Sequence, residues 1–168
     1  MPQAVVHVLF ALIALDLVRD YIIKDKKKVP LHYVFIGGIA GLLPDIDIPL
    51  FWVISNFFGF DVPMFHRTFT HTVFFAVLFL IPSLLFYSTN KRISMLFAII
   101  SFGVGFHVFL DFLMSGTIAP LYPFSSVQIG LNIFERTGLQ YFAEGMEAVV
   151  LLAWLWHEEM KHKISDFI

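Results

Sequence analysis

The chain has 168 residues, of which 58% are hydrophobic and 14% are charged, and its mean hydropathy is +0.81. Soluble domains average about 45–50% apolar and about 25% charged residues, so this composition excludes both an ordinary soluble domain and intrinsic disorder. The net charge of -2 argues against nucleic-acid binding, and the absence of cysteine excludes disulfides, thiolate metal ligands and a cysteine nucleophile.

Five stretches are long and apolar enough to be membrane spans, which require about 20 mostly apolar residues. In chain order they are roughly residues 3–23, 31–51, 72–88, 93–114 and 139–156. The first has neither a basic start nor a small-residue cleavage site, and it carries Asp16, so we expect it to be retained. The sequence therefore predicts an all-α, polytopic membrane bundle of about five transmembrane helices, with residues 1–168 forming a single integral membrane domain.

The connections between these spans indicate the topology. Residues 54–69 and 115–138 are rich in Gly, Pro, Asn and Ser but carry many aromatics, so we expect two ordered outer loops. With five spans, nine Lys and Arg residues lie on one side, and only Arg67 and Arg136 lie on the other. The positive-inside rule then predicts a plasma- or inner-membrane protein with its N-terminus outside and its C-terminus in the cytoplasm.

Acidic and histidine side chains lie within or beside all five spans. Counted from the cytoplasmic ends at about 1.5 Å per residue, one such residue in each span falls roughly 20–25 Å up. These residues are His7, Asp45, His71, His107 and Glu144. Each carboxylate within the membrane costs about 2.5–3.5 kcal/mol, and Lys and Arg are scarce at this level. A divalent cation is the natural counter-charge, so a metal site near the outer leaflet is expected.

The segment GFHVFLD contains the most regular of these patterns. His107 and Asp111 are four residues apart and should point from the same helix face. Gly103 continues that face by one turn and should let another helix approach closely. A simple hydrogen-bonded helix pair is the alternative interpretation of His107 and Asp111.

The segment HRTFTH places His66 and His71 on either side of a predicted helix start. Either Thr68 or Thr70 could cap that helix through its hydroxyl group. An interfacial loop whose polar side chains reach toward water is the alternative interpretation. His66 and His71 are candidate ligands because imidazole and carboxylate together suit metals such as Zn, Mn, Fe and Co.

The segment GLLPDID is expected to be irregular because Pro44 interrupts a helix. Asp45 and Asp47 are two residues apart, and they can converge on one site only where the backbone is not a regular α-helix. A helix cap followed by a turn would also explain both carboxylates. Taken together, the three segments favour a functional cluster over three independent structural features.

The cytoplasmic half of the spans is expected to be almost bare of polar side chains, apart from Asp16. This residue lies about 180° around its helix from His7, so it should pair with Arg19 rather than join the metal site. His32 and His157 are interpreted as ordinary interface residues. Glu147 could support the site from one turn beyond Glu144.

In these motifs the sequence resembles the YdjM-like family of predicted membrane-bound, metal-dependent hydrolases. The match follows the order His7, GLLPDID, HRTFTH and HVFLD, followed by SGTIAPLYPFS, and extends over about residues 7–124. A looser similarity connects the chain to zinc-dependent phospholipase C and related nucleases, which also use a histidine and an aspartate four residues apart. The family resemblance implies metal binding at His7, Asp45, Asp47, His66, His71, His107 and Asp111.

The predicted function is metal-dependent hydrolysis of a phosphate ester of a lipid, such as a phospholipid or a polyprenyl phosphate. One or two divalent ions are expected, with Zn preferred and Mn, Fe or Co as alternatives. The candidate metal ligands are His7, Asp45, Asp47, His66, His71, His107, Asp111 and Glu144. Arg67 would bind the phosphate, and Asp45 or Asp47 would act as general base if one of the two is not a metal ligand.

Two other classes of function use the same residues. A metal or proton transporter would need polar side chains at several depths, and a structural membrane protein would bind a metal without turnover. Membrane lipids are the expected partners and no nucleic acid is expected, while the oligomeric state stays open.

Overall fold

The computed structural model describes residues 4–24, 28–59, 67–114, 116–138 and 140–162, with side chains except at positions 135, 140–144 and 162. The regular secondary structure of this part of the chain is helical, apart from one isolated antiparallel bridge between Ile118 and Ile129. The helices are α1 (Ala4–Leu17) with a π-helical extension (Val18–Ile23), α2 (Leu31–Ala40), a 3-10 turn (Pro44–Ile46), α3 (Asp47–Phe58), α4 (Val73–Leu85), α5 (Lys91–Met114), α6 (Ile133–Thr137) and α7 (Gln140–His162). The prediction of an all-α fold is confirmed.

Candidate membrane spans are fewer than the sequence predicts. Within the described ranges, α5 alone is a single helix long and apolar enough to cross a membrane, and its 24 residues cover about 36 Å. The pair formed by α2 and Pro44–Phe58 qualifies as one broken span with a bend of 45°. Because α1 has 14 residues and α4 has 13, neither is long enough by itself. The five-span topology is therefore not confirmed.

The bend between α2 and α3 occurs where proline was expected to interrupt the helix. Pro44 begins a single 3-10 turn, and Asp47 follows as the first residue of α3. Proline has no N–H group for an intrahelical hydrogen bond and its ring crowds the preceding turn, so it favours a break in the helix. The interruption brings Asp45 and Asp47 to one side of the turn, as the site geometry described below requires.

Helix α5 is the centre of the packing and contacts α1, α2 and α4. Gly103 lies against the backbone of α2, where an added Cβ would collide with the carbonyl oxygen of Gly37 and lie 3.0 Å from the Cβ of Ala40. The predicted close approach at Gly103 is thus confirmed. It brings α5 near enough to α2 for His107, one turn further on, to reach the backbone at Gly41.

An apolar core occupies the middle of the bundle. Its buried members come from α1, α2, α5 and the connection before α2, and they are Leu12, Leu15, Val29, Val34 and Ile99. On α1, Leu12 and Leu15 lie between His7 and Asp16. The core therefore separates one polar end of the bundle from the other.

The cytoplasmic half of the spans was expected to be almost bare of polar side chains. This expectation is wrong, because several polar side chains surround Asp16. Asp16 pairs with Arg19 as predicted, with 2.9 Å between Oδ1 and the guanidinium, and both side chains are buried. Its Oδ2 also accepts a hydrogen bond of 3.3 Å from the Trp154 indole of α7. Glu158, also buried, lies beside Asp16, and burial together with Asp16 raises the pKa of Glu158 to about 8. We call Asp16, Arg19, Trp154 and Glu158 the Asp16 cluster.

Further polar contacts at the same end join the π-helical extension to α7. The Lys161 ammonium lies 2.8 Å from a carboxylate oxygen of Asp20 and 3.9 Å from the ring centre of Tyr21. His157 lies against both the Tyr21 hydroxyl and Glu158. His157 is therefore part of an interhelical network rather than an isolated interface residue. Residues near positions 20 and 160 are far apart in sequence, so only the fold brings them together.

Replacing Gly103 by alanine should destabilise the protein, because the new methyl group has no room beside α2. Overpacking of this kind costs about 1–3 kcal/mol, so the midpoint of thermal unfolding in detergent should fall. Gly105→Ala is the matched control on the same helix, since its Cβ would lie 3.6 Å from Ala76 in ordinary contact. Equal midpoints for the two variants would contradict the close packing of α5 against α2.

The stability of the fold should decrease as pH rises from about 4.5 to about 8 and should level off above that range. Glu158 keeps its proton to about pH 8 in the folded protein but ionises near 4.5 when unfolded, so folding favours the protonated form. The free energy of unfolding should therefore drop by up to about 1.4 kcal/mol per pH unit through this window. Glu158→Gln should flatten the slope in chemical unfolding, while Glu147→Gln, on the same helix, should retain it. An unchanged slope in Glu158→Gln would contradict this assignment.

Candidate metal centre

Two buried histidines, one on α5 and one in the turn before α4, face each other at the other end of the bundle. Nε2 of His107, on α5, lies 3.3 Å from Nε2 of His71, which precedes α4. Nδ1 of His107 lies 2.6 Å from the Gly41 carbonyl oxygen. A carbonyl can only accept a hydrogen bond, so Nδ1 of His107 carries the proton and Nε2 presents its lone pair to His71.

Nδ1 of His71, the ring nitrogen that faces away from His107, also has neighbouring polar groups. The Thr70 hydroxyl donates to Oδ2 of Asp47 over 3.0 Å, and its oxygen lies 3.1 Å from Nδ1 of His71. The same Asp47 oxygen is 3.7 Å from that nitrogen. A proton on Nδ1 of His71 fits this network, and that tautomer leaves Nε2 with a lone pair. Two lone pairs thus point toward one another, an arrangement that a cation between them would stabilise.

Two carboxylates complete this set of donor atoms. Oδ1 of Asp45 lies 3.3 Å from Nε2 of His71 and 3.6 Å from Nε2 of His107. Oδ2 of Asp111 lies 3.5 Å and 3.7 Å from the same two nitrogens. The pattern of His107 and Asp111, four residues apart on α5, therefore does place both side chains on one face. Two imidazole nitrogens and two carboxylate oxygens converge without any thiolate.

His7 of α1 extends the cluster on its other side. Its ring stacks on that of His107 with 3.8 Å between centroids, and its Nε2 lies 3.6 Å from Oδ1 of Asp111. The side chain is buried, and its Nδ1 has no hydrogen-bond partner among the residues that the structure describes. His7, His107 and Asp111 thus form a second potential metal-binding group that overlaps the group of Asp45, His71 and His107.

Arg67 supplies a positive charge at the edge of the cluster. Its guanidinium donates to Oδ1 of Asp111 over 3.2 Å, and its backbone N–H donates to Oδ2 of Asp47 over 3.4 Å. The Arg67 backbone has a left-handed φ of 63°, four residues before His71. Three carboxyl groups, from Asp45, Asp47 and Asp111, thus face one guanidinium, and a cation would offset the excess of acidic groups.

Thr72 determines where α4 begins, directly after His71. Its hydroxyl accepts a hydrogen bond of 3.3 Å from the Phe75 N–H and donates one of 2.8 Å to the Phe69 carbonyl. The prediction that Thr68 or Thr70 would cap this helix is therefore wrong. Thr70 lies in the preceding turn, where its hydroxyl binds Asp47 instead.

The structure brings together seven of the predicted site residues, which we call the His–Asp cluster. They are His7, Asp45, Asp47, Arg67, His71, His107 and Asp111. His66 lies outside the described residues, as does the side chain of Glu144. The sequence reasoning missed Thr70 as a partner of Asp47 and the Gly41 carbonyl as a partner of His107. Neither contact has a sequence signal beyond the nearness of Thr70 to His71 and of Gly41 to Asp45.

The fold and the cluster define a helical protein with a buried set of histidines and carboxylates and, within the described ranges, one or two candidate membrane spans. The family model described as the YdjM inner membrane protein matches residues 1–164. The chain belongs to this family and is an inner membrane protein, as the resemblance in the sequence predicted. No curated protein and no solved structure matches the chain.

Replacing Thr72 by alanine should lower stability by about 1 kcal/mol, because the first turn of α4 loses its side-chain cap. Thr72→Ser keeps the hydroxyl and is the matched control. The measurement is the free energy of unfolding in detergent, obtained from chemical denaturation. If Thr72→Ser falls as far as Thr72→Ala, the loss arises from packing of the methyl group and not from the cap.

Proposed function

We propose that this protein is a membrane-embedded, metal-dependent hydrolase that cleaves a phosphate ester of a lipid. The observation that carries the proposal is the pair of facing imidazole nitrogens, 3.3 Å apart, with two carboxylates within 4 Å of both. Without a cation, this arrangement buries excess negative charge and leaves lone pairs opposed, which is unfavourable in a low-dielectric interior. The donor set thus supports a resident divalent ion.

The residues fit zinc, with Mn, Fe or Co as alternatives, because neutral imidazole and carboxylate suit all four. His71, His107 and Asp111 would hold the ion, and Asp45 would stand beside it outside the ligand set. His107 has one free lone pair because its Nδ1 is bonded to Gly41, so it can serve only one ion. A second ion would depend on His7 and the Oδ1 side of Asp111, and a single ion is therefore our first choice.

In this proposal Asp47 supports His71 and is not a direct ligand of the ion. Its Oδ2 lies against Nδ1 of His71 and accepts hydrogen bonds from Thr70 and Arg67, so it holds the imidazole in one tautomer and orientation. Asp45 is 26% exposed, whereas Asp47 is buried. Asp45 is therefore the carboxylate that water can reach, and it is the better candidate for general base.

Bound in this cluster, a divalent ion would polarise a phosphoryl oxygen and make a water molecule acidic enough to react at neutral pH. The Arg67 guanidinium, already directed at Asp111, is placed to donate to a second phosphoryl oxygen. This donation would hold the ester in position and offset the charge that develops during its cleavage. The products of hydrolysis would be a phosphate group and a lipid alcohol.

The lipid substrate follows from the membrane location of the family and from the topology that we propose. In that topology five segments cross the membrane, the N-terminus lies outside, and the cluster lies near the outer-leaflet interface. The nine basic residues assigned to the opposite side support this orientation. A site at this depth meets lipid headgroups, as in a phospholipid or a polyprenyl phosphate.

A proton or metal transporter is the second candidate, because the Asp16 cluster provides polar groups at the other end of the bundle. The apolar core disfavours this function, since Leu12, Leu15, Val34 and Ile99 are all buried between the two ends. A conduction path would need polar or water-filled space at this level. Metal- or pH-driven flux in proteoliposomes without ester hydrolysis would reverse the ranking.

The metal content of the purified protein tests the first step of the proposal. Wild type in detergent should contain about one divalent ion per chain by mass spectrometry, and His107→Ala and Asp111→Ala should lose it. His32→Ala is the control, because His32 is an exposed histidine outside the cluster. Metal-free wild type, or full metal in both cluster variants, would refute the metal centre.

The hydrolysis assay tests the second step, with phosphatidic acid and a polyprenyl phosphate as substrates in mixed micelles. Wild type should release inorganic phosphate, and chelation should abolish the release until metal is restored. Arg67→Gln should retain the ion but raise KM or lower kcat by about tenfold or more. Metal-loaded protein that cleaves neither substrate would leave a structural metal site as the better explanation.

A further inference from the structure

A cavity lined mainly by basic side chains lies between the beginning of α2 and the beginning of α5. Its volume is about 460 Å³, within the range of about 300–1,000 Å³ that is common for small-molecule sites. Lys28, Lys91 and Arg92 line it with three positive charges, and His32 adds a fourth basic side chain. We call this cavity the basic pocket.

The charge of the basic pocket is of one sign. Among the residues that the structure describes, none that lines the pocket is acidic. The side chains of Lys91 and Arg92 are exposed, and within the described ranges neither forms an ion pair with a carboxylate. Cations gathered around one cavity repel each other, and an anion bound between them removes this repulsion. The pocket is therefore suited to an anion.

The beginning of α2 adds to the attraction for an anion. Pro30 precedes the helix and provides no side-chain cap for its first turn, and both Pro30 and His32 line the pocket. Backbone N–H groups at the start of a helix carry a partial positive charge and bind phosphate and other anions. The start of α5 differs, because Oδ1 of Asn90 already accepts hydrogen bonds from the N–H groups of Arg92 and Ile93. On α5 the attraction therefore comes from the side chains.

The basic pocket lies where α5 begins to cross the membrane. Within the described ranges α5 is the single helix that is long and apolar enough to do so, and Lys91 and Arg92 are its first two residues. Met95, about one turn further along α5, lines the pocket together with Tyr33, and both side chains pack against the apolar core. The pocket is thus basic toward water and apolar toward the membrane. An anion joined to an apolar chain matches this arrangement.

The basic pocket is separate from the candidate metal centre. Lys91 and His107 lie about 24 Å apart along the axis of α5, at 1.5 Å per residue. The apolar core, which includes Ile99 of α5, lies between them. A ligand in the pocket therefore contacts neither the ion nor the substrate of the proposed function.

We infer that the basic pocket binds the phosphate group of an anionic lipid at the membrane surface, with the lipid chains beside Met95. Arginine, lysine and the start of a helix all bind phosphate, and the pocket combines the three. In the topology that we propose, the pocket faces the cytoplasmic leaflet, whose anionic lipids attract basic residues. Basic residues that only set the orientation of the protein would hold no lipid at a fixed position. The bound lipid connects the beginnings of α2 and α5 and stabilises their packing.

Native mass spectrometry of the protein in a nonionic detergent tests whether the pocket holds a lipid. The probes are phosphatidylglycerol, which is anionic, and phosphatidylcholine, which has a phosphate group but no net charge. Wild type should bind phosphatidylglycerol more tightly. Arg92→Gln should weaken this binding by roughly fivefold, and Lys91→Gln combined with Arg92→Gln by roughly twentyfold or more.

Lys24→Gln is the matched control for Arg92→Gln, because it removes the same charge from an exposed residue at the same end of the bundle that does not line the pocket. Its affinity for phosphatidylglycerol should equal that of wild type. Equal weakening in Lys24→Gln and Arg92→Gln would overturn the inference, since the attraction would then be spread over the surface. Equal affinity of wild type for the two lipids would also overturn it.

The midpoint of thermal unfolding distinguishes a lipid from soluble phosphate. Phosphatidylglycerol should raise the midpoint of wild type, and it should raise the midpoint of the variant with both Lys91→Gln and Arg92→Gln much less. Without lipid the two proteins should unfold at the same midpoint, because both side chains are exposed. If inorganic phosphate at the same concentration raised the wild-type midpoint as far, the ligand would be a soluble anion and the lipid assignment would be wrong. A chelator is present throughout, so the result does not depend on a bound metal or on the proposed function.

Discussion

The hydrogen bond from His107 to the Gly41 carbonyl is the contact on which the candidate centre depends. It links the central helix α5 to the end of α2, and it decides which nitrogen of His107 faces the cluster. The contact exists because Gly103 lets α5 approach the backbone of α2, one turn before His107. The close packing at Gly103 thus determines the tautomer of His107, which is a proposed metal ligand.

The side of the cluster around His71 is arranged by charged groups that are not themselves ligands. Asp47 could have been a direct ligand, but its position against Nδ1 of His71 and the Thr70 hydroxyl makes it a partner of the ligand. Arg67 offsets part of the negative charge without filling the space between the imidazoles. The result is a site with net negative charge and inward-facing lone pairs, held by groups outside it.

The sequence was sufficient to predict the members of the cluster but not the way in which they are supported. Helical spacing placed His107 beside Asp111, and Pro44 predicted the break that brings Asp45 and Asp47 together. The roles of Thr70 and Thr72 depended on the residue at which the chain turns into α4, which spacing cannot fix. The network around Asp16 and Glu158 was missed because it joins the two ends of the chain. The five spans were inferred from apolar stretches, several of which end as shorter or broken helices.

Helix α1 is tied to the rest of the bundle at two points that lie nine residues apart and on opposite faces. His7 is held against α5 by ring stacking, and Asp16 is held against α7 by the Trp154 indole. A rotation of α1 about its axis by about 100°, the angle between successive residues, would move both His7 and Asp16 away from their partners. The helix therefore has a fixed angular setting and a fixed height, so a disturbance at Asp16 has a rigid route by which to tilt the imidazole of His7.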